Sequence, residues 1–450
     1  MRRKRWILLC AFATACTTAS APTTTSLVET TTTTASPSVA PVPATAGGDE
    51  DGFRAVADRI TQSLLVLQPE LVTELAAAET IGFDANYLLS DLSPRGRADL
   101  ADAAAVGLTT LDSLGPGELY ETERLSAAIL RWYLEDIATM AEFTDFENPV
   151  NFITGAHTGF GEFMADVHPI NSEGDAEDYV ERLIAFRSQV HDLIDEVERL
   201  DELGMAPTSR SLEIARYQIG AAIQGGNEDS HPLVTDLSER VAALSGENHN
   251  WAAGLGGRAA AAVRNLFPVL EDLDDAVRRM EGRSDETPGV LNLPGGDDYY
   301  AAVLRHFLSV DMSPEEVHEL GLAQVARLQA ELTSELTALG YPATENFALA
   351  MDRAAGDAGA MPTTNEPERA AVLERTTKTV DEAVAVFDGM FSVKPDAELS
   401  VVRPRPGREG GSGAYYRSPP IDGSRPGVYY LSLGGNEFAT LTMDTTTYHE

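Results

Sequence analysis

The chain has 450 residues, with 71 acidic side chains against 33 basic ones and a formal net charge of −38. Nucleic-acid binding needs a basic face that displaces phosphate counterions, so this balance excludes DNA and RNA as partners and describes a soluble, self-repelling surface. The two cysteines, Cys10 and Cys16, both precede any folded region, which leaves no disulfide, thiolate nucleophile or cysteine metal ligand beyond them.

In chain order, Met1 to Arg5 is basic, Trp6 to Ala15 is apolar and Cys16 follows the small residues Thr14-Ala15. Residues 1–16 are therefore expected to be an export signal peptide, too short to span a bilayer, since spanning takes about 20 apolar residues. The small residues before Cys16 suit a lipoprotein signal peptidase, although Ala13 stands where Leu is commoner. Lipidation of Cys16 would anchor the protein on the outer face of the membrane; otherwise it is secreted. Residues 17–52 are rich in Thr, Ser, Pro and Ala, as in Thr31-Thr32-Thr33-Thr34, and have little apolar surface to bury, so they predict a disordered linker.

From residue 53 onward the texture is amphipathic. Tyr179, Leu183, Phe186, Val190, Leu193, Val197 and Leu200 alternate at steps of four and three, which predicts a core-facing helix over 176–203, ended by Gly204 and Pro207. Ser313 reads as an N-cap followed by Pro314 and the first-turn acids Glu315 and Glu316; Leu328, Leu332, Leu336 and Leu339 form the apolar face of that helix until Gly340. Further helices are predicted near 54–78, 118–141, 209–224, 256–281, 344–355 and 365–388, with Pro268 kinking the fourth of these. Past Pro395 the runs Leu399 to Arg403, Ala414 to Arg417 and Val428 to Leu433 are short, rich in Val and Tyr, and separated by Gly/Pro turns, which predicts three strands of a small antiparallel sheet over about 399–433. The segment Phe438 to Glu450 reads as the start of a helix capped by Asp444.

Two His-Glu pairs carry a metal-hydrolase possibility, because H-E-x-x-H places two imidazole ligands and a general base on one helical turn. His318-Glu319 has no second His at the needed position. His449-Glu450 ends the sequence, and on composition alone an ordinary polar pair is the better reading. His157 and His168, flanking Phe160-Gly-Glu-Phe163, suggest a second metal site, against which a capping or core histidine is the favoured reading. Nucleophile-elbow, P-loop and dinucleotide motifs do not occur.

Four stretches together carry a resemblance: Gly155-Ala-His157-Thr-Gly-Phe160 with Tyr179-Val-Glu-Arg182-Leu183; Tyr299-Tyr300 with Met312-Ser-Pro-Glu315-Glu-Val-His318-Glu-Leu-Gly321-Leu322; Gly413-Ala-Tyr415-Tyr416 with Asp422-Gly423-Ser-Arg425-Pro-Gly427-Val-Tyr429-Tyr430; and Tyr448-His449-Glu450. In this order they resemble the bacterial domain-of-unknown-function 885 family, which is similar to gluzincin zinc metallopeptidases with a motif of the form H-E-x-x-P-G-H-H. The resemblance implies a mainly α, multi-helix bilobed fold over 53–450, cut off as the motif begins. His449 would be the first zinc ligand and Glu450 the general base of an exported peptidase, with the remaining ligands outside this chain, so that zinc is not retained and the fragment is inactive. It also implies that Ala414, Tyr415 and Tyr416 form the edge along which a peptide substrate lies, with the helices walling a cleft. The alternative is a lipid-tethered helical protein that binds peptide or another ligand without cleaving it.

Overall fold

A computed structural model describes residues 52–115, 119–223, 227–245, 252–284, 289–342, 346–387, 389–391, 397–404 and 414–450. The signal peptide, Cys16, almost all of the linker and Gly413 lie outside them. The protein is mainly helical, with fifteen α-helices among the described residues and a small sheet near the C-terminus. The chain divides into two compact units, Met1–Asp311 and Met312–Glu450. No helix among the described residues is long and apolar enough to cross a membrane.

The first unit opens with α1 (Phe53–Leu65), α2 (Pro69–Glu74) and α3 (Ala78–Ile81) where one helix over 54–78 was expected. Pro69 causes the first break, since its ring denies helical geometry to Gln68, which takes φ −129° and ψ 66°; the second falls at Ala76, φ 48°. α4 (Pro94–Asp112) and α5 (Glu121–Met140) pack with α1 around Ile60, Leu64, Leu111, Leu130 and Leu134. α6 (Ala156–Glu162) runs into a single wide turn of π-helix, Phe163–Val167, closed by the His168 amide donating to the Phe163 carbonyl at 2.9 Å.

The larger core of this unit is built on α7 (Glu173–Glu202). All seven stripe residues expected from its spacing are buried. Ser172 caps the helix by accepting from the Asp175 amide at 3.1 Å. Gly204 at φ 72° ends it, with the Met205 amide donating back to the Leu200 carbonyl at 2.8 Å. α8 (Ser209–Ile223), α9 (Pro232–Ser245) and α10 (Ala252–Glu281) surround it, and α10 continues through Pro268 as one element. At about 1.5–3 kcal/mol for each large side chain removed from water, the α7 stripe is a principal source of stability here. α11 (Gly296–Leu308) completes the unit. α4, α6, α9 and α11 were not foreseen, although Ser93-Pro94 is an N-cap and first-position pair of the kind that marked residue 313.

The second unit begins with α12 (Pro314–Ala338), opened by the expected capping box: the Glu316 amide donates to Ser313 Oγ at 3.2 Å and the Ser313 amide to Glu316 Oε2 at 2.8 Å. Its apolar face does not pack as expected. Leu328, Leu332 and Leu339 are exposed, and only Leu336 of that stripe is buried. α13 (Phe347–Ala358), β1 (Ala360–Pro362) and α14 (Glu366–Phe387) follow. β2 (Leu399–Val402), β3 (Ala414–Arg417) and β4 (Gly427–Leu431) fall on the three expected runs.

β4 is central, antiparallel to β3 as expected and parallel to β2, so the pairing in this three-stranded sheet is mixed. Residues 403–426, which include β3, separate β2 from β4, and a connection longer than about a dozen residues lets a chain return to pair in parallel. β5 (Glu437–Ala439) pairs antiparallel with β1 where a helix from Phe438 was expected. That helix, α15, spans Met443–His449 with Thr442 as its N-cap residue, so Asp444 lies in the first turn and is not the cap. One face of β4 (Tyr429, Leu431) joins Val372 and Val380 of α14, Leu433, and Met443 of α15 in a small core.

Candidate functional site at the sheet edge and the last helix

α15 is held against α14 from its first turn. Thr379 Oγ1 donates to Asp444 Oδ1 at 3.2 Å, Arg375 stands 3.9 Å from Asp444 Oδ2, and the ring of Tyr448 meets that of Phe387 edge-on at 6.5 Å. Met443 and Thr447 are the buried residues of this helix. That anchoring leaves His449, the last helical residue, exposed and Glu450, beyond it, half-buried.

The sheet reaches the same helix through one phenol. Tyr429 on β4 lies beside Thr447, whose hydroxyl donates to the Met443 carbonyl at 2.8 Å. Burial raises the Tyr429 pKa above the usual phenol value, and the nearby Glu450 carboxylate raises it further. Tyr416 on β3 is the register partner of Tyr429, and residues directly opposite in an antiparallel pair share a face. Tyr416, Tyr429 and the end of α15 therefore lie on one side of the sheet.

Gly427, two residues before Tyr429, explains how the Tyr416 ring fits: a Cβ there would overlap the Tyr416 hydroxyl. Tyr415 faces the other way and stacks on its own partner Tyr430, with ring centroids 4.7 Å apart and planes 12° from parallel. Arg417 adds a guanidinium 5.5 Å from the Tyr430 ring centroid. Tyr415 is thus a packing residue on the far face, and Tyr416 is the member of the pair that shares the face of α15.

β3 is an edge strand of its sheet. Among the described strands Ala414, Tyr415 and Tyr416 have β4 as their neighbour on one side and stand at the end of the strand order. The sequence placed Tyr429 in a strand but gave no sign of its position beside Thr447. The visible signal was the Tyr429-Tyr430 pair inside a strand pattern, where alternation sends one ring to each face.

The other histidines do not gather. His168 is buried and fully engaged, accepting at Nδ1 from Arg182 at 2.9 Å and donating from Nε2 to the Asp175 carbonyl at 3.0 Å. His157 is buried with neither ring nitrogen in hydrogen-bond geometry. Its ring occupies the space where a side chain at Gly155 would be, 2.6 Å from an ideal Cβ, which accounts for the glycine in the Gly155-Ala-His157 stretch. Both histidines are core residues. His318 and Glu319 are exposed on α12.

Among the described residues no group of three or more His, Cys, Asp or Glu side chains is arranged to hold a metal ion. A catalytic zinc takes three protein ligands and a base, so one exposed imidazole and one carboxylate do not by themselves fit it. What this geometry offers is an edge strand, two tyrosines on the face of a short helix, and a His-Glu pair at that helix's end.

The model of the bacterial protein family of unknown function DUF885 matches residues 76–450. A solved structure of a candidate lipoprotein from Colwellia psychrerythraea is similar with a TM-score of 0.79 at 20% identity, covering 88% of this chain and 70% of that chain. A second, of a candidate lipoprotein of unknown function from Shewanella oneidensis, is similar with a TM-score of 0.57 at 14% identity, covering 88% of this chain and 67% of that one. At these identities the likeness shows the fold. No curated protein matches the sequence.

Proposed function

This chain belongs to the DUF885 family of bacterial proteins, and from that premise we propose that it is an exported, peptidase-like protein whose 450 residues bind an extended peptide along β3. The observation that carries this reading is the shared face: Tyr416 on the edge strand, its partner Tyr429, and Thr447 and Glu450 at the end of α15 follow one another on one side of the sheet. A peptide added as a further strand beside β3 would gain main-chain hydrogen bonds, and its side chains on that face would meet the Tyr416 ring.

The resemblance to zinc peptidases gives His449 the place of a metal ligand and Glu450 that of a general base. The residues described do not complete a zinc site, so the reading taken forward rests on peptide binding at β3. Export is supported by the n-region, h-region and Cys16 at the N-terminus, and lipidation of Cys16 by the description of both structural relatives as candidate lipoproteins.

The experiment is a binding measurement on the 450-residue chain with fluorescent six-residue peptides and their N-methylated counterparts. Methylation of alternate backbone nitrogens on one edge of the peptide is expected to abolish binding, and Tyr416→Ala to weaken it about tenfold, roughly 1.4 kcal/mol. Binding that is indifferent to both would overturn the β3 reading. The absence of any peptide binding would overturn the function.

A further inference from the structure

In the first unit α11 is fastened to its neighbours through titratable groups. His306, in the last turn of α11, donates from Nδ1 to Asp136 Oδ2 on α5 at 2.8 Å. Trp132, one turn earlier on α5, lies against the imidazole with ring centroids 6.4 Å apart and planes 30° from parallel. Near the start of α11, Tyr299 stacks on Phe146, the last residue of the turn Ala141–Phe146, at 4.4 Å and 9°. Glu147 follows Phe146 directly. Asp136 is buried and His306 and Glu147 are half-buried, so charges among them are weakly screened.

The three groups are not equally content at every pH. With His306 protonated and Glu147 neutral, the imidazolium offsets Asp136 and the bond between them is charge-assisted. With His306 neutral and Glu147 ionised, two carboxylates remain with no imidazolium to offset them. The surrounding charges do not remove the imbalance. Arg97 of α4 attracts Glu147, but its Nη2 stands 3.4 Å from Glu196 of α7, a fully buried carboxylate. Arg199 is engaged by Glu196 and Asp145, and Arg305 of α11 lies 3.6 Å from Glu135 and 3.7 Å from Asp311.

Burial accordingly raises the Glu147 carboxyl to about 7, against Arg97 and His306. The hydrogen bond to Asp136 raises His306 above its ordinary value, and the charges of Asp136 and Glu147 act in the same direction, against burial. Both folded values lie above the unfolded ones. Each group therefore favours the docked helix fully below its unfolded value and loses that contribution as the pH rises through its folded one.

We propose that α11 is a pH-sensitive latch: His306, Asp136 and Glu147 hold it on α5 and on the turn before Glu147 in mildly acidic medium, and release it as the medium becomes alkaline. Release opens the Phe146–Tyr299 stack and gives both carboxylates to water, which is what ionised groups gain from the motion.

Hydrogen exchange read by mass spectrometry on the whole chain at pH 6 and pH 8, with times scaled for the intrinsic rate, compares peptides covering α11 with peptides covering α7. Protection of α11 is expected to fall about tenfold or more between the two, because each proton bound only in the docked state changes the opening equilibrium by up to about tenfold per pH unit. At pH 8 it should also lie well below the protection of α7. In Glu147→Gln with His306→Gln neither position titrates, and the fall should shrink to less than about twofold. Wild-type α11 protection that is the same at both pH values would overturn the proposal. So would equal protection of α11 and α7 at both, which is opening of the whole unit, or a double variant that keeps the wild-type fall. The first two results need no substitution and decide the matter even where the double variant does not fold.

Discussion

Arg182 donates from Nη1 to Nδ1 of His168 at 2.9 Å, and both side chains are buried in the first unit. The same guanidinium donates from Nε to the Leu88 carbonyl at 2.8 Å and from Nη2 to Thr73 Oγ1 at 2.7 Å and the Ala85 carbonyl at 2.8 Å. Four acceptors from α2, from the loop after α3 and from the end of the π-turn thus converge on one residue of α7. Burial lowers the Arg182 pKa to about 10, which leaves it charged at neutral pH. Lysine, with three donors on one nitrogen, cannot serve this spread of acceptors. Arg182→Lys is expected to destabilise the first unit by about 3–5 kcal/mol, the usual cost of breaking a buried charged network. Urea unfolding monitored by tryptophan fluorescence measures it.

The buried histidines set an acid limit. Burial lowers His157 to about 4, only partly opposed by Gln218, and lowers His168 to about 3, with Arg182 and Arg240 adding to the effect. Both folded values lie below the value of about 6.5 for an unfolded histidine, so the folded state keeps them neutral where the unfolded chain takes up protons. Their contribution to stability is complete above pH 6.5 and is lost as the pH falls toward 4. For His157 alone the span amounts to about 3 kcal/mol at 1.36 kcal/mol per pH unit. His157→Gln should flatten the loss between pH 6.5 and 4 relative to wild type, read from urea midpoints across that range.

Glu147 works in the opposite direction. Burial raises its carboxyl to about 7, against the lowering effects of Arg97 and His306. The folded state therefore holds a proton that the unfolded chain releases near 4.5, and the associated stability is full below that value and lost as the pH rises through 7. Glu147→Gln should be more stable relative to wild type at pH 8 than at pH 5. An equal difference at the two pH values would show that the carboxyl is solvated.

These examples also show what could be read in the amino-acid order. The α7 stripe was legible because seven large residues at helical spacing have one way to be buried together, and the three strands because Val and Tyr runs sit between Gly/Pro turns. Periodicity says that a face is apolar and not that a partner is present, so the same pattern on α12 gave the helix correctly and its packing wrongly. Arg182 and Tyr429 were visible as part of the resemblance, but their structural roles were not, for a related reason. Their partners, Leu88 and Ala85 for one and Thr447 for the other, are distant in sequence, and a carbonyl or a single threonine leaves no motif. The edge position of β3 was expected, but which of its tyrosines shares the face of α15 depended on register, which the sequence does not state.

An exposed imidazole at the end of a seven-residue helix, beside one carboxylate, supplies too few donors to compete with water for zinc, because tight sites hold three or four protein ligands in fixed geometry. The 450-residue chain dialysed after zinc loading is expected to retain much less than one equivalent, and His449→Ala to change neither that content nor the unfolding midpoint. Glu450→Gln should instead remove a charge close to Tyr429 and shift the ultraviolet titration of that buried phenol toward lower pH. Stoichiometric zinc lost on His449→Ala would establish a complete site that the residues described here do not form, and an unmoved phenol titration would separate Glu450 from the sheet face on which the peptide-binding reading depends.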